Sequence, residues 1–305
     1  MKKQVMVALG QTAVAAALWG TSFPVITLGL KGGLDPRMFA FLRFALATPP
    51  MVLFVGATGR KLTPLLLSKE VWIIGAFNAG GFLCQFVGQQ YTEASIAALL
   101  INLSVVFAAG GGAVFLGERF GVIKGVGVTL AVVGTVLITV NGSLAALSGG
   151  ELFGDLLYLA AAAFWAGYIV YAKKKTDQLD WDPVSLATGI VGVTAILFLP
   201  LAVTAGTPQI AESSLWPIAY TALFNTALAF VLYQQGLRYL TASSSAVVLT
   251  LEVVVAVAVS VAFLGEVLSV MAWVGAAAIL ASILVVSRIE LRKPSTQDSL
   301  SQRSP

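Results

Sequence analysis

Glu252 stands in the stretch ASSSAVVLTLEVVVAVAVSVAFLGE, residues 242–266, where every neighbour apart from small hydroxyls is apolar until Gly265 and Glu266. A carboxylate in such a run can bind an ammonium group or carry a proton, neutral when its surround is dry and charged when it is wetted. It can also be a hydrogen-bonded packing group, and the sequence leaves both readings open. Arg43, inside an equally apolar run, offers the complementary charge for a carboxylate. Trp19 and Trp165 lie deep within their own runs, and Tyr158, Trp165 and Tyr168 share one helix face by +7 and +3 spacing. Asn78, Gln85 and Gln89 share another by +7 and +4, while Asn102, Asn225, Tyr233 and Thr250 add polarity elsewhere. Trp19, Arg43, Asn78, Gln85, Asn102, Trp165, Tyr168, Asn225, Tyr233, Thr250 and Glu252 are therefore candidates to bind a small polar molecule. Glu252 is also the candidate carrier of a coupling proton. Polar glue between helices, typically under about 2 kcal/mol per contact, is the alternative for each.

Hydrophobic residues make up 58% of the 305 and charged residues 10%, with a mean hydropathy of +0.92. Soluble domains carry roughly 25% charged residues, so this chain cannot cover itself in water. A barrel would show alternating segments of about ten residues, and none is present. There is no histidine and one cysteine, Cys84. Disulfide frameworks, Cys/His metal sites and histidine-based nucleophile systems are excluded by that count. Gly110-Gly111-Gly112 has no Lys-Ser/Thr after it and is read as close helix packing, not a phosphate loop. The net charge of +4 reflects loop bias, and no nucleic-acid partner is expected.

Apolar runs long enough to cross a bilayer fall at about 5–30, 36–55, 71–91, 94–116, 121–140, 154–172, 183–204, 214–236, 242–264 and 269–287. With a cytoplasmic N-terminus, fifteen Lys and Arg face inward, only Lys31 and Arg37 face outward, and Arg43 falls within a span. That bias predicts a multi-pass protein of the cell (inner) membrane with both termini inside. Trp72, Trp216 and Trp273 sit near span ends as interfacial belt residues. At 1.5 Å per residue Glu252 lies about 15 Å deep, the middle of a hydrocarbon core of about 30 Å. A charge there costs about 2.5–3.5 kcal/mol on insertion scales, which predicts that it faces the interior. Arg43, roughly 10 Å deep, either snorkels to the outer interface or faces the same interior.

The two halves match. ALWG at 17–20 pairs with AFWA at 163–166, LDP at 34–36 with WDP at 181–183, GQQYTEASIAAL at 88–99 with GLRYLTASSSAV at 236–247, and VFLGE at 114–118 with AFLGE at 262–266. Five spans per half, an odd number, place the copies in opposite orientation, the architecture that permits alternating access. The predicted fold is an all-α integral membrane protein of ten transmembrane helices built as two inverted five-helix repeats. Residues 1–141 hold the first repeat, 150–288 the second, and 289–305 a disordered cytoplasmic tail. The fifth and tenth spans, almost wholly Gly, Ala, Val, Leu and Ile, read as a lipid-facing or packing scaffold. Glu118 and Glu266 are expected at the membrane edge, each favouring the N-terminus of the helix that follows it.

The tryptophan of ALWGTSFPVI, the RF of FLRFAL, the Tyr-x-x-Ala-Ser boundary and the doubled LGE resemble the drug/metabolite transporter superfamily, and within it the EamA-type ten-helix permeases. The resemblance covers about residues 10–288 and implies export of amino acids or other small metabolites through a central midplane cavity. It also implies a glutamate at Glu252. That family often carries a proline in helices four and nine where this sequence has Val105 and Val253, which predicts straighter helices here. The expected function is secondary active or facilitative export of small metabolites, amino acids first, with cationic drugs or other organic metabolites as the alternative cargo. A membrane-embedded enzyme is the remote alternative. No cofactor is expected; the expected partners are a small-molecule substrate, the lipid bilayer and protons.

Overall fold

The computed structural model describes residues 2–88, 91, 100–140, 152–206, 210–264 and 269–292. Gln89, the Ala94-Ser95 of the first repeat boundary, Glu266 and the tail from 293 lie outside the described residues.

All regular structure among the described residues is helical, as a bilayer demands of a chain that must satisfy its backbone internally. The helices are α1 Lys2–Leu30, α2 Pro36–Ala57, α3 Lys69–Gly88, α4 Leu100–Leu116, α5 Val122–Val140, α6 Leu152–Leu179, α7 Pro183–Thr204, α8 Glu212–Leu237, α9 Ala242–Leu249 with Leu251–Leu264, and α10 Val270–Arg292. Nine are long and apolar enough to cross a membrane, and α4 is shorter. Trp72, Trp216 and Trp273 are exposed near helix ends, where belt residues belong.

Helix starts follow the sequence chemistry. Asp35 and Asp182, the two repeat-matched aspartates, both cap helices that open with proline. Asp35 accepts from Arg37 N at 2.7 Å, and Asp182 from Ser185 N at 2.8 Å. The packing pattern exchanges cleanly between halves: α1 packs on α8 as α6 packs on α3, α1 on α9 as α6 on α4, and α2 on α8 as α7 on α3. α2 meets α7, α4 meets α9, and α5 meets α10. The α5–α10 crossing is close because a Cβ on Gly134 would sit 2.7 Å from the Gly275 carbonyl, and one on Gly275 2.6 Å from that of Gly134. Those two helices pack on each other, as their composition suggests.

Three local features depart from the sequence reading. Helices four and nine are not straight: α4 turns at Leu103 and α9 at Thr250, through Leu103 N–H to Leu100 O at 3.2 Å and Thr250 N–H to Val247 O at 3.1 Å. A tight i→i+3 turn does the bending that a proline does elsewhere. α8 contains a π-helical segment, Thr221–Leu228, which nothing in the apolar pattern signals. Glu118 serves more than the helix after it. Its carboxylate accepts from Ala242 N at 2.6 Å, and also from the Ser243 hydroxyl, so it caps α9 in the other half of the chain. Lys124, at the start of α5, neutralises it at 2.9 Å in a nearly buried pair. The LGE motif is adjacent in sequence to α5 but reaches across the bundle, because α4 and α9 are packed partners.

Candidate functional site

The π segment of α8 creates an acceptor at mid-helix. Ala229 N–H reaches back to Phe224 O rather than to Asn225 O, so the Asn225 carbonyl is released from its usual helical partner. Two donors converge on it. Trp19 Nε1 of α1 donates at 2.8 Å, and an Arg43 Nη2 N–H of α2 at 3.2 Å. Arg43 Nε donates to Thr226 Oγ1 at 2.7 Å. The Asn225 side chain returns to α1, its Nδ2 donating to Leu18 O and to Thr21 Oγ1. Thr21 in turn shares a hydrogen bond of 3.0 Å with the Tyr220 hydroxyl.

Arg43 therefore does not snorkel. It is 1% exposed, its guanidinium lying 5.5 Å from the Phe44 ring centre and 5.1 Å from that of Phe82. No carboxylate pairs with it among the described residues. Thr226 and Asn225 take two of its five N–H donors. Glu252 stands on α9 where that helix crosses α1. It retains accessible surface and carries no hydrogen bond among the described residues. A Cβ on Gly20 would lie 2.6 Å from the Glu252 backbone carbonyl oxygen, so the missing side chain lets the α1 and α9 backbones approach closely there.

Aromatic rings from both halves form a chain of contacts beside Arg43. Trp19 meets Phe230 and Tyr233, each at 5.5 Å between ring centres. Tyr233 stacks on Tyr168 at 6.0 Å, Tyr168 meets Trp165 at 6.2 Å, and Trp165 meets Phe82 at 4.8 Å. Phe44 closes the ring against Phe82 at 5.0 Å. Gln234 Nε2 donates to the Tyr168 hydroxyl at 2.7 Å while its Oε1 is buried without a partner.

The structure thus gathers Trp19, Arg43, Trp165, Tyr168, Asn225 and Tyr233 into one cluster with Glu252 beside it. Others stand apart. Asn78 donates to Thr194 Oγ1 at 2.9 Å and joins α3 to α7 as helix glue. Thr250 bonds its own Val247 carbonyl at 2.7 Å inside the α9 turn. Gln85 and Asn102 are half-buried, outside the ring network. Sequence reasoning missed Thr226, Phe230, Gln234, Phe44 and Phe82. The first three lie on the face that the π segment rotates into place, and the last two look like ordinary core residues.

The sequence model of the EamA-like transporter family matches this chain twice, over residues 7–140 and 152–288. The chain belongs to the EamA-like transporter family. An uncharacterized transporter of Archaeoglobus fulgidus is 30% identical over 77% of this chain and 81% of its own length. A probable terminal-alkyne amino-acid exporter of Streptantibioticus cattleyicolor is 27% identical over 88% of this chain and 90% of its own. A probable amino-acid metabolite efflux pump of Salmonella typhimurium is 27% identical over 89% of this chain and 92% of its own. A solved crystal structure shares the fold at a TM-score of 0.78 and 19% identity, covering 94% of this chain and 99% of the other. This EamA-like protein is a multi-pass membrane transporter and not an enzyme.

Proposed function

We propose that this EamA-like transporter exports small zwitterionic metabolites, amino acids first, by alternating access of two inverted five-helix repeats. Both termini face the cytoplasm of the cell (inner) membrane. The observation that carries the reading is the buried Arg43 guanidinium, free of any paired acid among the described residues, joined with Trp19 on the Asn225 carbonyl and set beside rings of both halves, with Glu252 on α9 where that helix crosses α1. An amino acid presents a carboxylate and an ammonium on one carbon, and the two protein charges complement that pair. The names of the two exporter relatives support the same cargo. The Tyr233–Tyr168 stack, together with a Glu252 that carries no hydrogen bond among the described residues, also suits an organic cation, which is the second reading.

The test is counterflow in proteoliposomes loaded with unlabelled amino acids and offered a ¹⁴C-labelled amino-acid mixture. Uptake inhibited by an amino acid and not by tetraphenylphosphonium supports the first reading, and the reverse supports the second. Glu252→Gln separates the roles of the carboxylate. Loss of pH-driven transport with intact counterflow identifies a proton carrier, and weakened affinity in both assays identifies an ammonium partner. Wild-type behaviour in both would reduce Glu252 to a packing group.

A further inference from the structure

A cleft of about 410 Å³ opens at the end of the bundle that carries the N-terminus, away from the aromatic ring. It brings together the start of α1, the segment after α2, the start of α7 and the end of α8. Lys3, Arg60 and Arg238 line it against a single lining carboxylate, Asp182. Arg60 pairs with Asp182 at 3.2 Å, and Arg238 pairs with Asp180 on the rim. Counting both acids, three cations face two, so the cleft is basic. Each guanidinium keeps further N–H donors. Its floor is polar: Gln11 Nε2 donates to Gln235 Oε1 at 2.7 Å, joining α1 to α8.

The floor connects the cleft to the binding cluster along the same two helices. Gln11 stands eight residues before Trp19 on α1, about 12 Å along the helix. On α8, Gln235 follows Gln234, whose amide holds Tyr168. We propose that this cleft is an anion-attracting antechamber of the transport route, which takes the carboxylate of an outgoing metabolite before the Gln11–Gln235 bridge admits it to Arg43. This rests on the export reading above. The shared ligand chemistry is a carboxylate or phosphate, and a phospholipid headgroup is the other source.

The test uses Cys84→Ser protein, which has no other cysteine, with Gln4→Cys as a reporter on the cleft wall. In phosphatidylcholine nanodiscs, modification rates are compared for an anionic sulfonatoethyl and a cationic trimethylammonioethyl methanethiosulfonate, normalised to free cysteine. The expected result is about a fivefold preference for the anion, as surface potentials of a few kT produce. It should fall to parity in the Lys3→Gln, Arg60→Gln, Arg238→Gln variant, whose folding is checked by thermal melting. The same variant should raise the half-saturating concentration for export of the ¹⁴C-labelled amino-acid mixture severalfold with the maximal rate kept. Parity already in the unsubstituted cleft, or unchanged half-saturation in the triple variant, overturns the proposal. Slowing of both reagents when phosphatidylglycerol is added shows a lipid headgroup in the cleft and overturns the metabolite route. If the parent protein exports no amino acid, the export reading fails, while the labelling ratio still decides whether the cleft selects anions.

Discussion

The α1–α8 contact and its counterpart, α6–α3, share a frame and differ in chemistry. Trp19 and Trp165 are matched across the repeat, as are Asn225 and Asn78, which stand 147 residues apart (225 − 78). In the first contact the tryptophan N–H donates to the asparagine carbonyl, and Arg43 joins them. In the second, Asn78 turns away to Thr194, Trp165 packs on Phe82, Tyr168 and Gly81 with no hydrogen bond among the described residues, and the position 147 residues after Arg43 is the buried Ile190. Glu252 has Ser104 at the matching offset of 148. The contact pattern is preserved by exchanging halves, while the charges are not.

The largest effect is expected from removing the asymmetric cation. Arg43→Gln loses a charge-assisted donor set, each such bond contributing about 1.5–3 kcal/mol, so counterflow should fall roughly 10- to 100-fold, since 1.4 kcal/mol is tenfold. Its counterpart Ile190→Val should cost about 0.5–1.5 kcal/mol of stability and leave substrate affinity unchanged. Melting and counterflow on the two variants decide the comparison. Equal transport defects would mean that Arg43 is structural.

Close approach at Glu252 comes next. Gly20→Ala places a carbon 2.6 Å from the Glu252 carbonyl oxygen, and overpacking of this kind costs about 1–3 kcal/mol. Transport and melting temperature should drop together. At the matched position Ala166→Gly removes a methyl from an α-helix, at about 1 kcal/mol, and transport should persist. A smaller contrast is Trp19→Phe, which keeps the ring contacts with Phe230 and Tyr233 but deletes one hydrogen bond, about 0.5–1.5 kcal/mol. Trp165→Phe deletes none among the described residues, so only the first should lower substrate affinity measurably.

Much of this was legible in the sequence, because burial in a bilayer leaves few options. Length and hydropathy located the helices, and the matched tetrapeptides located the repeat partners Trp19 and Trp165. Glu252 and Arg43 were identifiable because a charge in an apolar run needs an internal reason. What the sequence concealed is three-dimensional. The π turn that exposes the Asn225 carbonyl has no apolar signature, and Asn78 and Asn225 look alike until Ala229 N–H is seen to skip a carbonyl. The bends at Leu103 and Thr250 arise without proline, from i→i+3 turns that the composition around them does not announce. Sequence adjacency points Glu118 to α5, where it meets Lys124, but does not announce that packing also brings it the N-terminus of α9.

The smallest contrast is between the two matched caps. Asp35→Ala and Asp182→Ala each remove an N-cap, typically about 0.5–2 kcal/mol. Asp182 also accepts from the Ser185 hydroxyl at 3.0 Å and pairs with Arg60 on a distant segment, while Asp35 pairs only with its neighbour Arg37, both part-exposed. Asp182→Ala should therefore lower the melting temperature more, by the loss of a tie between α2 and α7. The pH response of Asp35 follows from its surroundings: the Arg37 side-chain hydrogen bond, partly opposed by burial, holds its carboxyl below the ordinary value of 3.8. A carboxyl depressed in the folded state gives stability that is complete above its unfolded pKa and lost as pH falls through the folded one. The contribution of Asp35 should thus be full at neutral pH and vanish only below about pH 4, with the solvent-exposed pair adding little because water screens it. Melting curves of the parent and Asp35→Ala proteins should accordingly differ at pH 7 and converge towards pH 3. A constant difference down to pH 3 would show that the side chain caps α2 equally well when protonated and that the pair with Arg37 adds nothing.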